Sequence, residues 1–141
     1  MNPHQPISDM PSHTPHVLVI DDELFARRVL ESALTRSGFT VTLVSSVADG
    51  LQALTQQRFD AVTCDLMMPI ESGLDFLRRA KAHPTYKNIP IVMISAAGMQ
   101  SELAQAKSLG ANAVVNKPFT IGEIKQTLTE VLQSRTKPFL E

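Results

Sequence analysis

A five-fold alternation of short apolar runs with amphipathic segments, between residues 16 and 134, limits this chain to a narrow set of folds. The runs fall at 17–20, 40–44, 61–64, 91–94 and 113–115, are rich in Val and Ile, and are mostly uninterrupted. Strands with one wet face would alternate apolar and polar residues, whereas short continuous runs belong to parallel strands covered on both faces. Between the runs, apolar residues recur at helical spacing. Ala26, Leu30, Ala33 and Leu34 make the first stripe, and Val47, Leu51 and Leu54 the second. Leu74, Leu77 and Ala80 make the third, and Met99, Leu103 and Ala106 the fourth. Ile121, Ile124, Leu128, Val131 and Leu132 make the fifth. Gly38 and Gly110 sit just past the first and fourth helices, where a left-handed terminating residue belongs. Thr120 with Glu123 forms a capping box for the last helix, and Ser46 with Asp49 forms a close variant for the second. The pattern reads (βα)5, an α/β fold with an open, doubly wound, parallel five-stranded sheet.

Composition narrows the function classes. Thirteen Lys+Arg against fourteen Asp+Glu leave a net charge of -1, without the bulk positive charge of a typical nucleic-acid binder. No direct nucleic-acid partner is expected. No segment approaches the roughly 20 apolar residues of a membrane span, so no membrane partner is expected either. The single cysteine, Cys64, excludes an internal disulfide framework and a multi-cysteine zinc site. Lying inside an apolar run it reads as a buried, inert thiol, and a reducing, cytoplasmic setting is the expectation. Residues 1–15 carry prolines at 3, 6, 11 and 15 and no apolar run, so they read as a flexible tail with His4 and His13 solvated. Residues 135–141 read as a short C-terminal tail.

Ligands of such sheets bind outside the carboxyl ends of the strands. The first run is followed by Asp21-Asp22-Glu23, the third by Asp65, the fourth by Ser95 and the small residues Ala96, Ala97 and Gly98, and the fifth by Asn116-Lys117-Pro118. Carboxylates about 4 Å apart repel by about 4 kcal/mol at an effective dielectric near 20, so a cluster of them requires a cation. Lys117 supplies one charge, and a divalent cation with oxygen ligands supplies the rest. All-oxygen donors favour Mg2+, or Mn2+, over zinc. A metal, a lysine and a hydroxyl together suit a phosphoryl group, and a central carboxylate could hold that group as an acyl phosphate. Asp65, the lone acid ending a central apolar run, is the candidate nucleophile, with Asp21 and Asp22 as a metal-holding pair.

The motifs V-L-V-I-D-D-E, D-A-V-T-C-D-L-M-M-P, P-I-V-M-I-S-A and L-G-A-N-A-V-V-N-K-P-F occur in that order. Ser95 lies 30 residues and Lys117 lies 52 residues beyond Asp65. In this combination the chain resembles the receiver domain of bacterial two-component response regulators, especially the single-domain, chemotaxis-regulator type. The resemblance covers residues 16–134 and implies a flavodoxin-like strand order, 2-1-3-4-5. It implies a phosphoprotein of a phosphorelay, with Asp65 as phosphoacceptor, Asp22 as direct magnesium ligand and Asp21 acting through a bound water. Met67 would lend its backbone carbonyl to the metal. Ser95 and the Ala96 amide would bind the phosphoryl group, with Lys117 pairing to another of its oxygens. Pro118 would follow a cis peptide that aims Lys117 into the site. Val114 stands where many receivers carry a switching Tyr or Phe; valine has one stiff torsion and no ring.

The implied phosphodonor is a sensor histidine kinase or a phosphotransfer protein. The implied reader is a downstream protein on the face made by the fourth helix, fifth strand and fifth helix. Such a chain catalyses its own phosphorylation and dephosphorylation and is not an enzyme in the turnover sense. A receiver fragment of a larger regulator or hybrid kinase is the alternative. An aspartyl-phosphate phosphatase is disfavoured, because those enzymes place D-x-D after the first strand. A nucleotide or flavin binder lacks its glycine-rich loop. Elsewhere, Arg27-Arg28 reads as a polar helix face, His83 as an exposed loop residue, and the Met67, Met68 and Met93 side chains as packing.

Met67 and Ala97, two positions after Asp65 and Ser95, border the path of the hydrolytic water in the receivers this chain resembles, and neither orders water well. The phosphorylated state is therefore expected to outlive that of receivers with polar residues there. Decay of the phosphoprotein in magnesium buffer should be slow and should quicken in Met67→Asn; rapid decay that the substitution leaves unchanged would contradict this.

Overall fold

The computed structural model describes residues 14–136. The tail histidines His4 and His13 and residues 137–141 lie outside the described residues. Strands and helices alternate as β1 (His16–Ile20), α1 (Leu24–Arg36), β2 (Thr40–Val44), α2 (Val47–Gln56), β3 (Ala61–Asp65), α3 (Gly73–Ala82), β4 (Ile91–Ser95), α4 (Gln100–Ser108), β5 (Ala113–Asn116) and α5 (Ile121–Thr136). All five strands pair in parallel, in the order β2-β1-β3-β4-β5. The (βα)5 reading and the implied strand order both hold.

Alternate residues of the central strands feed two cores, which is what double winding requires. Leu18, Ile20, Val62, Cys64, Ile91 and Met93 face α2, α3 and α4, where Leu54, Phe76, Leu77 and Ala106 close the layer. Val17, Val19, Ala61, Val92 and Ile94 face α1 and α5, against Leu30, Leu34, Ile124 and Leu128. Every residue of β3 and β4 is buried. The edge strand β2 is only half covered and Thr40 is exposed, because β2 has a neighbour on one side alone. Ile121, read as part of the apolar stripe of α5, is instead 50% exposed. It opens the helix before the axis settles onto the sheet at the fully buried Ile124. Met99 is buried but caps α4 from outside rather than lying within it.

The punctuation behaves as its chemistry demands. Gly38 and Gly110 take φ of 97° and 101°, the left-handed region that favours glycine. Thr120 and Glu123 exchange both bonds of a capping box, at 2.8 and 3.0 Å. Ser46 Oγ accepts from the Asp49 amide at 3.0 Å, one half of such a box. A further box starts α3, with the Ser72 amide donating to Asp75 Oδ2 at 2.9 Å. Its S-x-x-D signature stands in the sequence.

Gly73 deserves its place for a steric reason. Its amide donates to the Leu66 carbonyl at 3.0 Å, so the start of α3 lies directly on the chain leaving β3. A Cβ here would strike the Asp65 carbonyl oxygen and come within 2.9 Å of Leu66 Cα. Both are backbone atoms and cannot rotate away. Gly73→Ala is expected to cost about 2 kcal/mol or more in urea unfolding, an overpacking penalty with little relaxation open to it. A variant as stable as the wild type would contradict the close approach.

Candidate functional site

Asp65, Ser95 and Asn116 are the last residues of β3, β4 and β5, each one position past its apolar run. The registers Asp65↔Ile94 and Ser95↔Asn116 bring these tips to one rim. Asp21 and Asp22 follow β1 on the same rim. Carboxylate oxygens of Asp21, Asp22 and Asp65 all lie within 4.8 Å of one another, the only such cluster of acidic, His or Cys groups among the described residues.

The three acids differ in setting. Asp21 is 1% exposed; its Oδ1 accepts from the Glu23 amide at 2.9 Å, and its Oδ2 is buried with no hydrogen-bond partner. Asp65 is 6% exposed, with Oδ1 accepting from the Met67 amide at 3.3 Å and Oδ2 lying 3.5 Å from Lys117 Nζ. Asp22 is exposed at the mouth. Burial lifts the carboxyls of both Asp21 and Asp65 above the ordinary carboxylate range. The Glu23 amide and Lys117 pull Asp21 back, and Lys117 does most to pull Asp65 back, without cancelling the rise.

The Lys117 amide donates to the Ser95 carbonyl at 2.7 Å, and the Lys117–Pro118 peptide is cis. The Ser95 side chain is fully buried, and its hydroxyl donates to the Ala96 carbonyl at 3.1 Å. Asp22, Asp65, Met67, Ala96 and Lys117 share one open cleft of about 400 Å3 with Glu23 and Pro69. Val114 is half-buried against the core beside α4. Cys64 is wholly buried, and burial raises its thiol far above the ordinary cysteine range, in keeping with an inert side chain. His83 is exposed, as expected.

Two readings need correction. Met67 does not pack: it is 63% exposed, while Met68 and Met93 are 9% and 0% exposed. The turn after β3 has left the sheet by this point, so no layer covers it. Arg27 is not simply part of a solvated helix face. Its guanidinium reaches back one turn and donates to the Asp21 carbonyl at 2.7 Å, bracing the tip of β1. Nothing in the local sequence marks that contact. Ile70 carries a third feature without a sequence signal, a φ of 71° in a turn closed by the Glu71 amide on the Pro69 carbonyl at 2.8 Å.

The profile of the response regulator receiver domain matches residues 17–129. The chain belongs to that family. It is 32% identical over 120 residues to chemotaxis protein CheY-3 of Vibrio cholerae, covering 83% of this chain and 91% of that one. It is 31% identical over 120 residues to chemotaxis protein CheY of Pseudomonas aeruginosa, covering 83% and 95%. The structure of V. cholerae chemotaxis protein CheY4 superimposes with a TM-score of 0.80 at 26% identity, over 84% of this chain and 99% of that one. The receiver domain of a P. aeruginosa sensor histidine kinase, with a magnesium ion coordinated in its active site cleft, gives 0.80 at 25% identity, over 86% and 100%. This is a CheY-like receiver domain of the two-component systems, a family of signalling switches rather than turnover enzymes. Among the described residues, no helix is long and apolar enough to cross a membrane.

The raised carboxyls set a pH dependence in metal-free protein. A folded-state pKa above the ordinary 3.8 means that the folded form holds its protons more tightly than the unfolded form. Stability therefore falls as pH rises from 3.8 through the raised folded values. Two charges 4.8 Å apart repel by about 3.5 kcal/mol at an effective dielectric near 20, and Lys117 offsets part of this. Asp21→Asn should raise neutral-pH stability in chelator by on the order of 1 kcal/mol. Its advantage should vanish below the ordinary carboxyl pKa. Urea unfolding at both pH values checks this, and a variant no more stable at neutral pH would refute it.

Proposed function

We propose that this receiver is a magnesium-dependent phosphoacceptor switch, with Asp65 taking a phosphoryl group from a phosphohistidine on a sensor histidine kinase or phosphotransfer protein. The observation that carries the reading is the Asp21, Asp22 and Asp65 cluster with Lys117 against Asp65 Oδ2 at 3.5 Å. The receiver domain occupies residues 16–134 in this reading, with tails on either side. Its setting is the cytoplasm, where two-component phosphodonors act.

The donor set fits a hard divalent cation. All its atoms are oxygens, and the buried, partnerless Asp21 Oδ2 is an acceptor in want of a positive partner. Asp22 would ligate the ion directly, Asp21 through a water, and Asp65 and the Met67 carbonyl would complete the protein's share. Bound there, magnesium supplies charge neutralisation for the phosphoryl oxygens and the acids around them. Mn2+ satisfies the same donors.

The chain's own residues account for the transfer. A carboxylate oxygen of Asp65 attacks phosphorus, the bond to the donor's imidazole nitrogen breaks, and the product is an acyl phosphate. Lys117 pairs with one phosphoryl oxygen. The Ser95 hydroxyl gives up the Ala96 carbonyl and turns toward another, where the Ala96 amide also donates. The altered loop after β4 then presents a changed α4–β5–α5 face to a downstream protein. Val114 carries no ring, so that face changes through its backbone. The chain catalyses only its own phosphorylation and dephosphorylation.

Acetyl phosphate or beryllofluoride with magnesium should produce an adduct and a spectral shift on the wild type, and neither on Asp65→Asn. No response from the wild type, or an equal response from Asp65→Asn, would overturn the assignment.

A further inference from the structure

Met67 is the one described methionine that stands open to solvent. It is 63% exposed, against 9% for Met68, 0% for Met93 and 6% for Met99. It also sits at the functional cleft. Its amide holds Asp65 Oδ1 at 3.3 Å, and it shares the cleft of about 400 Å3 with Asp65, Ala96 and Lys117. A thioether is a weak hydrogen-bond acceptor, and Ala96 and Pro69 in the same lining have no side-chain group to order water beside it.

We propose that Met67 is a redox modification site at which a peroxide converts the thioether to the sulfoxide and thereby shortens the life of the phosphorylated state. This rests on the phosphoacceptor reading of Asp65. A sulfur lone pair attacks one peroxide oxygen, the O–O bond breaks, and the departing hydroxide takes a proton to become water. Sulfur loses two electrons and the peroxide gains them. The new S–O dipole is a strong acceptor on a side chain that had only a weak one. It recruits water to the mouth of the cleft, within reach of the acyl phosphate. The backbone carbonyl of Met67 is untouched, so the group offered to the metal survives. Methionine sulfoxide reductase returns the thioether, which makes the change reversible.

The full chain is treated with hydrogen peroxide, digested and mapped by mass spectrometry, and phosphoprotein decay is followed in magnesium before and after treatment. Met67 is expected to gain one oxygen well ahead of Met68, Met93 and Met99, and the oxidised protein to lose its phosphoryl group several-fold faster. Met67→Leu, compared only with itself before and after peroxide, should show no change in decay. Oxidation of Met67 no faster than that of the buried methionines would overturn the proposal. So would an unchanged decay in the oxidised wild type, or an equal acceleration in Met67→Leu. If untreated wild type forms no phosphoprotein at all, the phosphoacceptor reading fails and this proposal with it; unchanged decay of a phosphoprotein that does form defeats this proposal alone.

Discussion

Asp21, Asp22 and Asp65, brought within 4.8 Å of one another at the tips of β1 and β3, are the constraint around which this molecule is arranged. Left to themselves, three carboxylates would not gather, least of all two that are nearly sealed from water. Their neighbours answer with what the backbone offers. The Glu23 amide meets Asp21, the Met67 amide meets Asp65, and the Lys117 ammonium also stands against Asp65. These partners do not cancel the cost, since both buried carboxyls remain raised. The fold is thus held in a state that a cation improves, which is the physical sense in which such a site is prepared for its ligand.

Holding the cluster is a task for the whole sheet. β3 lies between β1 and β4, and its side chains alternate into two cores, so Asp65 projects from a strand held at both edges and on both faces. Gly73 sets the start of α3 hard against the same strand end. Arg27 braces the Asp21 carbonyl from α1, and the Lys117 amide fastens the end of β5 to that of β4. Each contact is local, yet all act on the rim where the acids meet. Burial of Leu18, Ile20, Val62 and Ile94, each worth roughly 1.5–3 kcal/mol, sustains the strained arrangement.

Much of this was legible before any coordinate. The Val- and Ile-rich runs foretold the strands because a two-sided parallel sheet leaves no polar option along its middle. Asp65, Ser95 and Asn116 carry the strands one residue past the apolar runs, since main-chain pairing continues regardless of what the side chain is. Thr120 with Glu123 was readable because a capping box is written in residues three apart. Arg27 and Met67 were not. Whether an arginine on a helix turns outward or back to a strand tip depends on where that tip lies. Whether a methionine after a strand is covered depends on which layer extends that far. The strand order itself came with the resemblance to receivers, since periodicity alone does not say which strands are neighbours.

The same geometry bears on how a change at Asp65 would travel. Ser95 is buried with its hydroxyl on the Ala96 carbonyl, so any reorientation of that side chain disturbs the main chain of the loop after β4. The Ser95 carbonyl is held by the Lys117 amide at 2.7 Å, and Ser95 pairs with Asn116 in the sheet. Val114 pairs with Met93 two positions below, with a stiff side chain that offers no alternative rotamer of useful reach. Here the continuous link from the rim to β5 is the hydrogen-bonded backbone of Ser95 and Lys117. Under the proposed switch, Val114 has no ring to swing, which leaves the hydrogen-bonded backbone of β4 and β5 as the route.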